Sequence, residues 1–233
     1  MTNNTKQDLA KEAVILVHGL AAVRLVMWPI GKRLRECGYQ VKNYGYFSIS
    51  KTIADHSNRL GEVLDALEND PKIEKIHLVT HSMGCIIGRY LLSQKPFEKL
   101  GRWVMLAPPN HGSHVARVLS PFLGRICTPL TQLSDAPESF VNQLDDFRGT
   151  NDVNFAIVEA AYDLVIESSC VPLEGQSEYA VVKSNHGPLP WHPDSIKFVE
   201  RFLSQDDLGD QDGTAEVRIE GAASNQSNTA KIT

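Results

Sequence analysis

The 233-residue chain offers little support for metal, redox or nucleic-acid chemistry. Its four cysteines, Cys37, Cys85, Cys127 and Cys170, are far apart and form no C-x-x-C pair. We therefore expect reduced thiols and no cysteine metal site, with a Cys127–Cys170 disulfide as the less favoured alternative. The net charge is −5 and no basic stripe is present, which argues against a nucleic-acid partner.

Long apolar segments are also absent. No run approaches the roughly 18 apolar residues that a membrane-spanning helix needs, so we expect no stable membrane insertion. Residues 1–12 are polar and lack the apolar core of a secretory signal. Together with the isolated cysteines, this predicts a cytoplasmic protein. The sequence contains no internal repeat, and its 42% hydrophobic content is typical of a globular domain.

The composition divides the chain into three parts. Residues 1–12 form the polar N-terminal segment, residues 13–204 form one domain, and residues 205–233 form an acidic tail. The tail is polar and poor in aromatic residues, so we expect it to be disordered. Alternation within 215–220 leaves a short isolated strand as a less favoured alternative.

The domain alternates between apolar runs typical of buried strands and segments with helical spacing. This alternation predicts an α/β fold with an open, mostly parallel sheet of about six strands and helices on both faces. Residues 110–152 are rich in Gly, Pro and Ser and predict a small cap or lid excursion with one or two short helices. The predicted strands lie near 13–17, 39–44, 75–79, 103–107, 155–160 and 179–183, and the predicted helices near 28–38, 53–69, 85–92 and 194–203.

The segment Thr80–Gly84 has the layout of a nucleophile elbow. It follows an apolar strand, carries Ser82 at its centre and leads into a helix. Small residues two positions before and after the serine allow so tight a turn. The usual first glycine is replaced by Thr80, which is small enough to fit at some cost.

A serine nucleophile needs a base, an orienting acid and an oxyanion hole. The best base is His186, in the loop after the last strand of the domain, with His192 and His81 as rivals. Asp163 follows the preceding strand, and the chain order Ser82, Asp163, His186 is the one this topology imposes. The backbone N–H groups of Leu20 and Met83 are the expected oxyanion donors. Among the remaining histidines, we expect His18 to brace its loop, His77 to be satisfied within a strand, and His56 to be solvated.

Four motifs in fixed order resemble the bacterial lipase and esterase branch of the α/β-hydrolase fold. They are Val14–Leu20, Trp28–Pro29, Thr80–Gly84 and Leu106–Ser113, and the likeness extends over about 13–203. The chain is similar to small triacylglycerol-lipase-like esterases related to deacylases of lipid anchors. The resemblance implies the same triad and oxyanion donors, and it implies that 110–152 occupies the place of the family's lid. The sequence departs from the family at Thr80, at Cys85 and around Asp163, where Leu164 replaces a frequent glycine.

The predicted function is a serine hydrolase of carboxylic esters that needs neither metal nor organic cofactor. Its substrate would be a small-molecule or lipid ester, of short or medium chain because the excursion is short. The alternatives are acyl transfer or thioester cleavage by the same triad, and a binding protein without catalytic activity. The oligomeric state is left open. Apolar side chains of the excursion would line an acyl pocket or merely cover the core, among them Leu119, Phe122, Leu123 and Leu130.

Overall fold

A computed structural model describes residues 9–205 and 215–217. Seven strands form one sheet in the order β2-β1-β3-β4-β5-β6-β7, and every neighbouring pair is parallel. The strands are β1 Glu12–Val17, β2 Gln40–Tyr44, β3 Lys75–His81, β4 Leu100–Leu106, β5 Asn154–Ala160, β6 Glu178–Val182 and β7 Ala215–Val217. The α-helices are α1 Trp28–Cys37, α2 Ile53–Glu68, α3 Met83–Gln94, α4 His114–Leu123, α5 Thr128–Gln132 and α6 Pro193–Leu203. Short 3₁₀ helices occupy Arg24–Met27, Phe140–Gln143, Phe147–Gly149, Ser168–Cys170 and Leu189–Trp191.

Side chains alternate between two apolar layers because successive residues of a strand point to opposite faces of the sheet. In β1, Ile15 and Val17 belong to one buried cluster, whereas Val14 and Leu16 belong to the other. Helices α2 and α3 cover the first face, and α1 and α6 cover the second. The predicted α/β fold with a parallel sheet and helices on both faces is confirmed.

The sheet has one strand more than expected, and that strand comes from the acidic tail. Residues 215–217 pair with β6 in parallel register, with Glu178 opposite Ala215. At these three residues the structure has the less favoured alternative, a short strand. The edge of β6 presents backbone N–H and C=O groups that an extended segment can satisfy, whatever the composition of that segment. The rest of the predicted tail, and residues 1–8, lie outside the described residues.

The excursion between β4 and β5 holds two short α-helices, as predicted, and the 3₁₀ turns around 140 and 147. Pro121 lies inside α4, and the buried side chain of that helix is Ala116. Asn151, near the end of the excursion, is buried and donates hydrogen bonds to the carbonyls of Leu92 and Lys95. Its amide therefore fastens the last turn of α3 to the start of β5.

The structure corrects the expectation for one histidine. His56 was predicted to be solvated, but only 1% of its surface is exposed. It lies in the first turn of α2, where its ring packs against Tyr46 at a centroid distance of 4.7 Å. A residue near the start of a helix can therefore be buried. Here the loop after β2 places Tyr46 over the first turn of α2.

The cysteines are free thiols in the structure. Cys37 and Cys85 are buried, and Cys127 and Cys170 are half-buried with no disulfide between them. Burial raises the pKa of the Cys85 thiol to about 12, so this cysteine near Ser82 is a poor nucleophile at neutral pH. Within 9–205 and 215–217, no helix combines the length and the apolar character required to span a membrane.

Candidate active site

Ser82 lies on a strained turn between β3 and α3. Its backbone has φ 54° and ψ −125°, a conformation that residues with a side chain rarely adopt. Two glycines permit the turn. A Cβ on Gly84 would lie 2.7 Å from the carbonyl oxygen of Val17, and a Cβ on Gly19 would lie 2.8 Å from the Cβ of Ser82. The end of β1 and the serine therefore approach each other as closely as two backbones allow.

Thr80 fits the elbow because its hydroxyl has a partner there. The side chain is fully buried, and its Oγ1 accepts a hydrogen bond of 2.9 Å from the indole Nε1 of Trp103. The same hydroxyl donates to the Sγ of Cys85 at 3.1 Å. Two of the three departures from the family pattern, Thr80 and Cys85, are thus in contact with each other, and Thr80 satisfies a buried donor on β4.

We expect Thr80→Val to lower the free energy of unfolding by about 1–3 kcal/mol, because the indole N–H of Trp103 would lose its acceptor inside the core. Urea unfolding followed by circular dichroism measures this change. Thr80→Ser is the matched control, since it keeps the hydroxyl and removes one methyl. A Thr80→Val variant within about 0.5 kcal/mol of the wild type would contradict this role for the hydroxyl.

The structure brings the three predicted catalytic side chains into direct contact. The Nε2 of His186 lies 2.9 Å from the Oγ of Ser82, and its Nδ1 lies 2.7 Å from the Oδ2 of Asp163. An ionised carboxylate only accepts hydrogen bonds, so the proton of the neutral imidazole is assigned to Nδ1. The free electron pair of Nε2 then faces the serine hydroxyl, which donates to it.

The carboxylate of Asp163 is held on both oxygens. Its Oδ1 accepts hydrogen bonds from the backbone N–H groups of Val165 and Ile166, at 2.8 and 2.9 Å. Burial raises the pKa of this carboxyl, but the hydrogen bond and charge of His186 and these two amides outweigh burial and leave the pKa below 3.8. Asp163 is therefore ionised at neutral pH.

The loop that carries Asp163 is fastened to the excursion by contacts that no local sequence pattern predicts. The hydroxyl of Ser113, the N-cap residue of α4, donates to the carbonyl of Val165 at 2.7 Å. The side-chain amide of Asn110 donates to the carbonyl of Val171 at 2.7 Å. Each bond joins residues more than 50 positions apart, so neither leaves a local sequence pattern.

The two rival histidines have other partners. His192 is the N-cap residue of α6, and its Nδ1 accepts a hydrogen bond from the backbone N–H of Asp194. His81 is buried and donates from Nε2 to the backbone carbonyl of His186 at 3.1 Å. Burial, aided by the nearby His186, lowers the pKa of His81 to about 3, so this ring is neutral at any pH of ordinary use.

The depressed pKa of His81 predicts a specific acid sensitivity. Unfolded His81 binds a proton below pH 6.5, whereas the folded ring stays neutral down to about pH 3, so the free energy of unfolding falls as pH drops through this window. Between pH 7 and pH 4, we expect the free energy of unfolding to fall by up to about 3 kcal/mol less in His81→Gln than in the wild type. Urea unfolding at both pH values measures it, and equal losses in wild type and variant would contradict the buried neutral state.

The predicted oxyanion donors, Met83 and Leu20, directly follow Ser82 and Gly19 in the sequence. Met83 is the first residue of α3, and the first N–H groups of a helix have no partner within it. Leu20 follows Gly19 in the turn after β1. That turn is braced, as expected, by His18, whose ring is buried, stacks on Tyr46 at 4.4 Å and hydrogen-bonds the carbonyl of Gly19. The roles of the Leu20 and Met83 amides stay predictions.

The four side chains predicted to line an acyl pocket do not share one environment. Leu119, Phe122 and Leu123 are exposed on α4, with Phe122 at 80%, whereas Leu130 is buried in the core cluster beneath α5. Leu130 thus covers the core, which was the alternative role. In this structure the four side chains do not form one pocket wall. The acyl pocket therefore stays a prediction.

Two kinds of comparison identify relatives of this chain. The family model described as the alpha/beta hydrolase fold matches residues 12–152, which include β1 to β4, the elbow and the excursion. No curated protein matches the sequence. The fold is similar to that of solved structures with low sequence identity. At such identity, the similarity establishes the fold alone.

A lipase of Bacillus licheniformis in its mature form has a TM-score of 0.67 at 16% identity, with 83% of this chain and 92% of that chain covered. A phospholipase of Legionella pneumophila has a TM-score of 0.64 at 15% identity, with 84% and 60% covered. A metagenomic carboxyl esterase has a TM-score of 0.61 at 16% identity, with 76% and 65% covered. This chain therefore spans less than two thirds of the last two proteins.

Proposed function

Because the chain belongs to the alpha/beta hydrolase fold family, we propose that it is a serine hydrolase of carboxylic esters. One observation carries the proposal: the continuous hydrogen-bonded chain from Asp163 through His186 to Ser82. A serine in such contact with an imidazole whose other nitrogen is held by a buried carboxylate is the arrangement that activates a hydroxyl. The lipases and esterases among the structural neighbours support the same reaction class.

In the proposed reaction, the Oγ of Ser82 attacks the acyl carbon of the ester while the Nε2 of His186 takes the hydroxyl proton. The tetrahedral intermediate collapses, His186 gives that proton to the leaving alcohol, and an acyl-enzyme remains. Water then attacks the acyl carbon with His186 again as base, and the carboxylic acid leaves as Ser82 regains its proton. Asp163 stays ionised throughout and stabilises the imidazolium of His186.

The backbone amides of Leu20 and Met83 would stabilise the developing oxyanion. Loss of one such donor typically costs about 2.7–4 kcal/mol of transition-state stabilisation. The amides belong to the turn after β1 and to the start of α3, which the small residues Gly19 and Gly84 allow to meet beside Ser82. Their position is thus a property of the backbone and not of the two side chains.

For the substrate we propose an uncharged ester of short or medium acyl chain. Large apolar side chains are exposed on loops and helices that follow the carboxyl ends of the strands. Leu164, next to Asp163, is 88% exposed, and Phe122 on α4 is 80% exposed. The same triad would serve thioester cleavage or acyl transfer, because the acyl-enzyme is common to these reactions and only the bond broken or the acceptor differs.

The test uses the wild-type protein. We expect covalent labelling by a fluorophosphonate probe and turnover of p-nitrophenyl esters, with kcat/KM highest for acyl chains of short or medium length. Acyl-thioesters and alcohol acceptors in the same assay separate the three reactions. Absence of both labelling and turnover would overturn the serine-hydrolase proposal, whereas faster thioester cleavage would move the substrate class to thioesters.

The proposed chemistry routes no step through a metal. We therefore expect dialysis against EDTA to leave kcat for a p-nitrophenyl ester within about twofold of the untreated value, a difference of less than about 0.5 kcal/mol in activation free energy. A large loss that is restored by a divalent cation would contradict this expectation. The cytoplasmic location and the lack of a nucleic-acid partner stay predictions.

A further inference from the structure

His81 links the nucleophile turn to the loop of the base. It is the last residue of β3 and immediately precedes Ser82, yet its side chain contacts a residue 105 positions away. Its Nε2 lies 3.1 Å from the backbone oxygen of His186, and the two rings lie 4.9 Å apart between centroids. Only 3% of His81 is exposed, so the donor of this hydrogen bond is buried.

The partner of His81 fixes its tautomer. A backbone carbonyl only accepts hydrogen bonds, so Nε2 must carry the proton. A neutral imidazole then has no proton on Nδ1, and that atom is buried without a hydrogen-bond partner among the described residues. His81 is therefore a neutral donor with one bond, and that bond goes to the main chain of His186.

We propose that His81 is a positioning residue that holds the main chain of His186 at the distance from Ser82 that proton transfer requires. The inference rests on the proposed function, in which His186 is the base. It assigns to His81 neither contact with substrate nor a share in the proton transfer. Its effect passes through His186.

The residues on either side of His186 lie at the surface. Asn185, Gly187 and Pro188 are exposed, and a Cβ on Gly187 would meet no atom within 4 Å. The contacts of His186 with Asp163 and Ser82 are made by its imidazole and not by its backbone. A hydrogen bond from the buried ring of His81 to its carbonyl restrains the backbone directly, and a displacement of about 1 Å at a catalytic group can cost about 100-fold in rate.

The uncharged state of His81 matters for the same reason. His186 becomes an imidazolium during the reaction, and a second cation at a centroid distance of 4.9 Å would oppose that charge. The neutral ring of His81 donates one hydrogen bond and adds no charge. A lysine or arginine at this position would donate as well but would repel the imidazolium.

The experiment compares His81→Gln with His81→Leu. The Nε2 of glutamine stands near that of histidine and can donate to the same carbonyl, whereas leucine fills the space without a donor. We expect kcat for a p-nitrophenyl ester to fall about 10- to 100-fold in His81→Leu, with KM within twofold, and to recover most of this loss in His81→Gln. The rate of fluorophosphonate labelling should fall in parallel with kcat.

A His81→Leu variant that folds and keeps kcat within twofold of the wild type would overturn the proposal, as would equal losses in the two variants. If neither variant folds, ¹⁵N NMR of histidine-labelled wild type decides: we expect the ring of residue 81 to carry its proton on Nε2 from pH 5 to pH 8. An Nδ1–H tautomer, or protonation within this range, would overturn it. Wild type without labelling or turnover would instead count against the proposed function, and the NMR result would still report the contact.

Discussion

Ser82→Ala is expected to lower kcat for a p-nitrophenyl ester by about 10⁶-fold and to abolish fluorophosphonate labelling. Alanine removes the Oγ that lies 2.9 Å from the Nε2 of His186, so no acyl-enzyme can form. The remaining rate, about 10³- to 10⁴-fold above that in water, would come from binding and the oxyanion donors. Ester hydrolysis measured at saturating substrate, together with probe labelling on a gel, tests both results.

The fold should tolerate this change, because it removes a single hydroxyl and alanine adds no atom to the crowded turn beside Gly19. The melting temperature is therefore the control. A variant that melts like the wild type and retains more than about 1% of its kcat would show that the ester is cleaved by another group. A mock preparation from cells that lack the protein, purified in the same way, measures contaminating esterase activity, which is subtracted from both rates.

His186→Ala is expected to lower kcat by a similar factor of about 10⁶, because Ser82 would lose the base that accepts its proton and Asp163 would be left without its partner. Residual activity should rise with pH, as hydroxide replaces the missing base. A pH–rate profile of the variant between pH 6 and pH 10 measures this change. KM should stay within a few fold of the wild-type value.

His192→Ala is the matched control, since it removes a histidine six residues further along the same connection. His192 accepts a hydrogen bond from the backbone of Asp194 and caps α6, so we expect a lower melting temperature with kcat unchanged. If His192→Ala loses turnover and His186→Ala retains it, the base is His192 and the proposed triad is wrong.

The strength of the site prediction came from a local pattern joined to a topological rule. The elbow around Ser82 is readable because a tight strand-to-helix turn demands small neighbours. Asp163 and His186 were selected because the ends of parallel strands meet at one edge of the sheet. Both arguments need only the order of strands and helices, and apolar periodicity indicates that order well.

The failures share a different cause. His56 was expected to be solvated and is buried beneath Tyr46, and residues 215–217 form the short strand that was the less favoured alternative to disorder. Each outcome depends on a neighbour supplied by a distant part of the chain. Alternation within 215–220 indicated a strand there, but no periodicity within one segment identifies the strand or side chain that it packs against.

The amino-acid order alone determined the class of fold, the turn that presents Ser82 and the pair of loops that carry Asp163 and His186, since each depends on nearby residues or on strand order. Only the tertiary structure showed how Thr80 is accommodated in place of glycine, through its hydrogen bond with Trp103. It also showed that His81 donates to the carbonyl of His186. Such contacts join side chains whose separation along the chain bears no relation to their separation in space. Their energies follow from burial and hydrogen-bond geometry, which exist only once the sheet has formed.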